Sequence, residues 1–367
     1  MAIVTASFDA RIQTQWPGAL CTLFSDSLDP NATDTLTTYC VYSWSCVHPR
    51  HSSHVRRNVV GMSTKCQHLW LETALRRQVI DRCNDGTKAT QDENRGDVLI
   101  HAGDLTNQGS YSELSKTVKW LEGADFEAKI VVAGNHDITL DEGFYTQHGF
   151  AFHNQAPQSP SQCLELLKSS PSITYLHHES ATIRLRSPEG PRTQFTVFGS
   201  PYSPRRGLWA FSYDAAVSPE DSEPTTLWDH VPPHTDVVVT HTPPKGCCDE
   251  TDGMQTSGCE ALRRALWRVR PRLAVCGHIH AGRGSQRVTW GREESFSTTR
   301  ATSWEDPGAG SNKVSLVDLT GRKDSLLEEG QTCVVNAAIM KSSFPHVGGK
   351  QFHKPVVVDI NLPVVSF

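Results

Sequence analysis

The chain lacks the features that would direct it into a bilayer, along a secretory route or onto a polynucleotide. No apolar run approaches the roughly 18 residues needed to cross a membrane. The opening stretch MAIVTASFDARIQTQWPGAL carries neither a basic leader nor a continuous apolar segment, so no secretory signal is expected. There is no Cys-x-x-Cys pair. The eleven cysteines are odd in number and scattered, with only Cys247 and Cys248 adjacent, a pattern that points to reduced intracellular thiols rather than a disulfide framework. Basic charge is not in excess either: the formal net charge is −5, and RRALWRVRPR reads as one face of a helix and its exit rather than as a phosphate-tracking stripe. The expectation is a cytoplasmic protein with no membrane and no nucleic-acid partner.

What is present is enough apolar sequence for a large core: 37% of 367 residues. Residues 1–95 are the least regular part. Pro, Ser, Thr and Asn cluster from Ser25 to Ser53, and RHSSHVRR adds charge without a period, so this segment reads as poorly defined and partly loop. Within it, CQHLWLETALRRQVIDRC from Cys66 places Leu69, Leu71, Leu75 and Ile80 near helical spacing.

From Gly96 onward the pattern sharpens. A strand over Asp97–His101 precedes a helix near Tyr111–Leu121, where Ser110 and Glu113 have the spacing of a capping box. A second strand, Lys129–Ala133, follows, which makes a βαβ-like unit. Later segments are richer in strands: SITYL, ATIRLRS, TQFTVFGSP, TDVVVTHTPP, PRLAVCGHIH, TCVVNAAI and KPVVVDIN. A helix over Gly258–Val269 precedes PRLAVCGHIH. Alternating elements early and strands late predict an α/β protein of two packed sheets with helices outside.

The polar residues that follow the apolar runs form a set. Asp104 follows DVLIHAG, Asn135 and His136 follow IVVAG, His241 follows DVVVT, and His278 and His280 follow LAVCG. Each alone has an ordinary reading: Asp104 as a cap, Asn135 as a turn former, His241 as a satisfied histidine at a strand end. His278 and His280 as alternate residues of an extended segment would point to one side. Together they are metal ligands in type, because a carboxylate can bridge two cations, an Asn carbonyl is a neutral hard ligand, and imidazole suits Mn, Fe, Zn or Ni.

The ordered motifs GDLT, GNHD, HTPP and GHIH resemble the calcineurin-like metallophosphoesterase superfamily. FGSPYSP, WAFSY, CGHIHAGRG and VVNAA resemble its MPPED-like metallophosphodiesterase subfamily, common in fungi, and the likeness spans about Gly96 to Ala338. It implies a four-layer α/β/β/α sandwich of two mixed sheets, with residues 96–367 as the phosphoesterase domain. It further implies two divalent metal ions, with Asp104 bridging them, Asn135, His241 and His278 on one and His280 on the other. His136 would be a catalytic non-ligand histidine, oriented by Asp137, and Arg283 a contact to substrate phosphate. The implied reaction is hydrolysis of a small phosphoester, a phosphodiester foremost, by in-line attack of metal-bound hydroxide.

One motif of the family is absent. Its first strand ends in Asp-x-His, and the nearest matches here put Leu28 after Asp26 and Leu36 after Asp34. Two explanations stand: a mispredicted or alternatively spliced N-terminus, or a lost metal site, with His48, His51 and His54 as substitute ligands or as loop residues. A lost site would leave a catalytically impaired, one-metal binding or regulatory homologue. A nuclease of the same superfamily is a third reading, which the acidic balance disfavours.

Overall fold

The structure is a computed structural model, and it describes residues 2–5, 58–62, 96–188, 190–214, 226–291, 298–341, 349 and 351–363. The helix expected from Cys66, the pairs at Asp26 and Asp34, and His48, His51 and His54 lie outside these residues.

Two seven-stranded sheets carry the fold. The first has the order β14-β16-β1-β2-β3-β4-β5, with an additional pairing of β1 with β3. Its members are β1 (Ala2–Thr5), β2 (Asn58–Met62), β3 (Gly96–Ala102), β4 (Phe126–Val132), β5 (Ile173–Tyr175), β14 (Ser315–Asp318) and β16 (Val356–Asp359). The second has the order β13-β12-β15-β11-β10-β7-β6. It contains β6 (Glu179–Arg184), β7 (Gln194–Ser200), β10 (Val237–Thr240), β11 (Leu273–Cys276), β12 (Gly284–Trp290), β13 (Thr298–Ser303) and β15 (Gln331–Asn336). A short ribbon of β8 (Ser203–Pro204) and β9 (Ser212–Tyr213) stands apart.

The continuous apolar runs of the sequence have a direct cause in this layering. In β10, Val237 and Val239 enter the main core, while Val238 joins a second cluster on the other face. The same alternation splits Leu273 and Val275 from Ala274 in β11, and Cys333 and Val335 from Val334 in β15. Successive side chains of a strand point to opposite faces, and here both faces are covered, so the run is apolar on both faces where the clusters form. The second cluster is closed by α4 (Glu260–Val269), which buries Leu262, Ala265 and Leu266 at helical spacing.

Over the first sheet lie α1 (Tyr111–Gly123), α2 (Glu142–His153) and α3 (Pro160–Lys168). The capping box of Ser110 and Glu113 forms as expected, and α1 buries Leu114, Val118 and Leu121. Helix, sheet, sheet and helix thus form the expected four layers. All six described cysteines, Cys163, Cys247, Cys248, Cys259, Cys276 and Cys333, are free and buried.

Strand direction decides where a site can form. β2, β3, β4 and β5 run parallel, as do β7, β10, β11 and β15. Ligand sites of α/β sheets lie beyond the carboxyl ends of such strands. Two strands of the first sheet come from before Gly96, so this sheet draws on the segment expected to be poorly defined. Met62, the last residue of β2, pairs with His101 of β3. β2 therefore occupies a position from which an Asp-x-His could reach the site, but the sequence after Met62 reads Ser63-Thr64-Lys65.

Candidate metal centre

The carboxyl ends of β3, β4, β10 and β11 deliver Asp104, Asn135, His241 and His278 to one place. His241 is fully buried, and its Nδ1 lies 2.9 Å from the carbonyl oxygen of Ala102. A carbonyl only accepts, so Nδ1 carries a proton, and in the neutral ring that metal binding requires Nε2 presents a lone pair. That nitrogen lies 2.9 Å from the Asn135 Oδ1 and 3.5 Å from the Asp104 Oδ1. The His278 Nδ1 is 3.1 Å from it. One proton on His278 can satisfy one of these contacts. Nε2 still faces two oxygens with no hydrogen between them.

A cation resolves that repulsion. With metal–ligand bonds of about 2.1 Å, neighbouring ligand atoms stand about 3.0 Å apart at right angles and about 3.4 Å apart at the tetrahedral angle. The separations of 2.9, 3.1 and 3.5 Å fall in this range, so the residues fit a divalent metal. Among the described residues no set of three or more His, Cys, Asp and Glu side chains forms a metal site unaided. The Asn135 amide oxygen is an essential member of the group. His280 follows His278 by two residues and is half-buried.

Backbone shape brings the ligands this close. Asp104 and His278 both adopt left-handed φ, 57° and 64°, which L-residues rarely do. GHIH is therefore not the extended segment expected from the sequence: β11 stops at Cys276, and His278 turns at its own Cα. Gly134 is required by space, since a Cβ there would stand 2.3 Å from the Asp104 amide nitrogen and 2.7 Å from the His241 ring.

Electrostatics follow from this packing. Burial works against the Asp104 carboxylate, but positive charge at the neighbouring imidazoles, His241 foremost, and the amide of His136 outweigh it and hold its pKa far below the usual range; a cation in place of those protons would act in the same sense. Burial, then the neighbouring His241, pushes the His278 imidazole down to about 3. His278 is thus neutral, as a metal ligand must be.

Asp137 and Arg283 are both engaged by protein groups. Asp137 was to orient His136. Its Oδ2 accepts the amides of Gly134 at 2.8 Å and Leu105 at 3.0 Å, and its Oδ1 accepts the Thr106 amide at 2.9 Å and hydroxyl at 2.7 Å. The carboxylate ties the GDLT loop to the GNHD loop, and the His136 Nδ1 rests on the carbonyl of Asn107 at 2.9 Å. Arg283 was expected to contact substrate. Its side chain is 7% exposed and is spent on Asp306 at 3.0 Å and the Lys354 carbonyl at 2.8 Å, because the chain after GHIH turns under the surface there.

Sequence reasoning gave no role to Asn107, Trp209 or Asn336, although WAFSY begins at Trp209 and VVNAA contains Asn336. Asn336 ends the apolar run of β15, the same signal that marked the other strand ends, and its amide supports the carbonyls of Cys248 at 2.9 Å and Ile279 at 2.8 Å. Trp209 stands in a loop with no periodic signal, yet its ring lies 3.9 Å from that of His136, centroid to centroid.

A profile of calcineurin-like phosphoesterases matches residues 71–282, more than half of the chain. The chain belongs to the calcineurin-like phosphoesterase family. It is 35% identical over 195 residues to the human metallophosphoesterase domain-containing protein 1, a match covering 52% of this chain and 56% of that protein. It is 38% identical over 226 residues to a probable rhamnogalacturonate lyase C of Emericella nidulans, covering 59% of this chain but 19% of that protein, most of which lies outside the match. Among solved structures it resembles TT1561 of Thermus thermophilus with a TM-score of 0.35 and 14% identity, over 62% of this chain and 82% of that one. The chain thus covers less than two thirds of either relative's length. Among the described residues no helix is long and apolar enough to cross a membrane.

Two outcomes are expected. Asp137→Asn places an amide N–H group against backbone donors that now meet an oxygen. At about 1–3 kcal/mol for each buried group left unsatisfied, urea unfolding should show a loss of several kcal/mol. A fully stable variant with slowed turnover would restore the His136-orienting role.

Metal-free protein should also lose stability as pH falls. The His278 pKa is depressed to about 3, burial depresses that of His353 to about 4, and burial also lowers those of His101, His153, His177 and His178. Below about 6.5 the unfolded chain therefore binds more protons at these histidines, which outweighs the one proton that Asp137, pushed up to about 7 by burial and then by Asp104, holds in the folded chain. The urea midpoint should therefore drop between pH 7 and pH 5; a flat midpoint would contradict these burials.

Proposed function

We propose that this phosphoesterase is a metal-dependent phosphodiesterase acting on a small phosphoester. The observation that carries the reading is the convergence of the His241 lone pair with the oxygens of Asn135 and Asp104. Asp104, Asn135, His241 and His278 would hold one cation. His280 is the described residue left for a second, shared through Asp104. When bound, such cations polarise the phosphoryl oxygens and lower the pKa of a water; Mn, Fe, Zn and Ni all suit this donor set.

The chain's own groups do the rest. His136 is 4% exposed. Because its Nδ1 donates to the Asn107 carbonyl, its other nitrogen, Nε2, is the one that would exchange a proton with a leaving oxygen. The net charge of −5 favours a small substrate over a polynucleotide.

The test is hydrolysis of bis(p-nitrophenyl) phosphate by the full chain, titrated with Mn²⁺, beside Asp104→Asn. Activity that rises with Mn²⁺ and falls at least a hundredfold in the variant, together with bound metal, is the expected result. Equal turnover and metal content in both proteins would overturn the site. Bound metal without turnover in the intact chain would instead make it a one-metal binding homologue, as the missing Asp-x-His allows.

A further inference from the structure

His136 touches Trp209, which comes from none of the four motif loops. We propose that Trp209 is a positioning residue, holding the His136 imidazole in the orientation in which it meets the substrate; this rests on the phosphodiesterase reading above. The two rings are 3.9 Å apart between centroids and tilted by 55°. The indole also meets Phe152 of α2 at 5.5 Å, and Phe152 meets Phe144 at 6.0 Å. The indole thus touches both the histidine and a helix.

The backbone around Trp209 is fastened to the same parts. The Ala210 amide donates to the carbonyl of Asn135 at 3.3 Å, the residue before His136. The Phe211 amide donates to the Asp141 Oδ2 at 2.9 Å, while the Asp141 Oδ1 caps α2 through the Phe144 amide at 3.0 Å. Loop, helix and GNHD turn are therefore hydrogen-bonded to one another.

The hydrogen bond to Asn107 fixes Nδ1 of His136, and contact with the flat indole limits how far the ring tilts about it, so Nε2 is presented in one direction. Orientation of this kind is what a group that meets a reacting atom requires, and misplacement by about 1 Å can cost about a hundredfold in rate. Trp209 acts here through His136 and by shape alone.

The test compares Trp209→Leu, which keeps apolar bulk but loses the flat face, with Trp209→Phe, which restores one. Both are made in the full chain and assayed on bis(p-nitrophenyl) phosphate with Mn²⁺. Trp209→Leu should lower kcat by roughly ten- to a hundredfold, with KM within about twofold and bound metal unchanged, and Trp209→Phe should recover most of the loss. Unchanged kcat, or a raised KM alone, overturns the proposal.

A second readout needs no turnover: histidine side-chain NMR of the labelled full chain, with His136→Ala for assignment. One ring-shifted His136 signal in the parent that broadens or splits in Trp209→Leu supports positioning. A single sharp His136 signal in every variant overturns it. If the parent protein fails to hydrolyse the ester, the phosphodiesterase reading falls, and the NMR result still decides the role of Trp209.

Discussion

The site depends on the hydrogen bond from the His241 ring to the Ala102 carbonyl, which crosses from the second sheet to the first. That bond fixes the tautomer and aims a lone pair at Asn135 and Asp104. It also sets how closely the two sheets approach at their carboxyl edges. Gly103 has φ 94°, and a Cβ there would stand 2.4 Å from the His241 Nδ1. Gly134 meets Asp104 and the same imidazole from the other side. Side chains at either position would push the histidine away and leave four separate polar residues.

Around this contact the neighbouring groups divide the work. Asp137 is fully buried and ties two loops together through four hydrogen bonds. His136 rests on the Asn107 carbonyl and touches the Trp209 ring. Asn336 braces the turn that carries His278 and His280 by accepting the Ala338 amide and donating to the Ile279 carbonyl. The candidate ligands are therefore held by groups outside their own set, which is how a polar site keeps its geometry in a buried place.

Much of this was legible in the sequence for definite physical reasons. Strands buried on both faces are apolar on both, so DVVVT and LAVC stood out, and the polar residues just beyond them marked the site. The cap of α1 was legible because Ser110 and Glu113 satisfy two amides at a fixed spacing. The function of Asp137 was not, because it depends on which amides face the carboxylate across the loop from Leu105 and Thr106. Nor was the burial of Arg283, whose partners Asp306 and Lys354 are distant in sequence. β2 shows the limit most clearly: a strand lies beside β3, but the residues that follow it in the sequence are a serine, a threonine and a lysine.

The central claim is that the lone pairs of Asp104, Asn135, His241 and His278 converge on a cation. Anomalous diffraction at the manganese edge, from crystals grown with Mn²⁺, tests it most directly. The account predicts a peak about 2.1–2.3 Å from the His241 Nε2, in contact with the Asp104 and Asn135 oxygens. No peak there, with a protonated His241 Nε2 donating to Asn135, would contradict it.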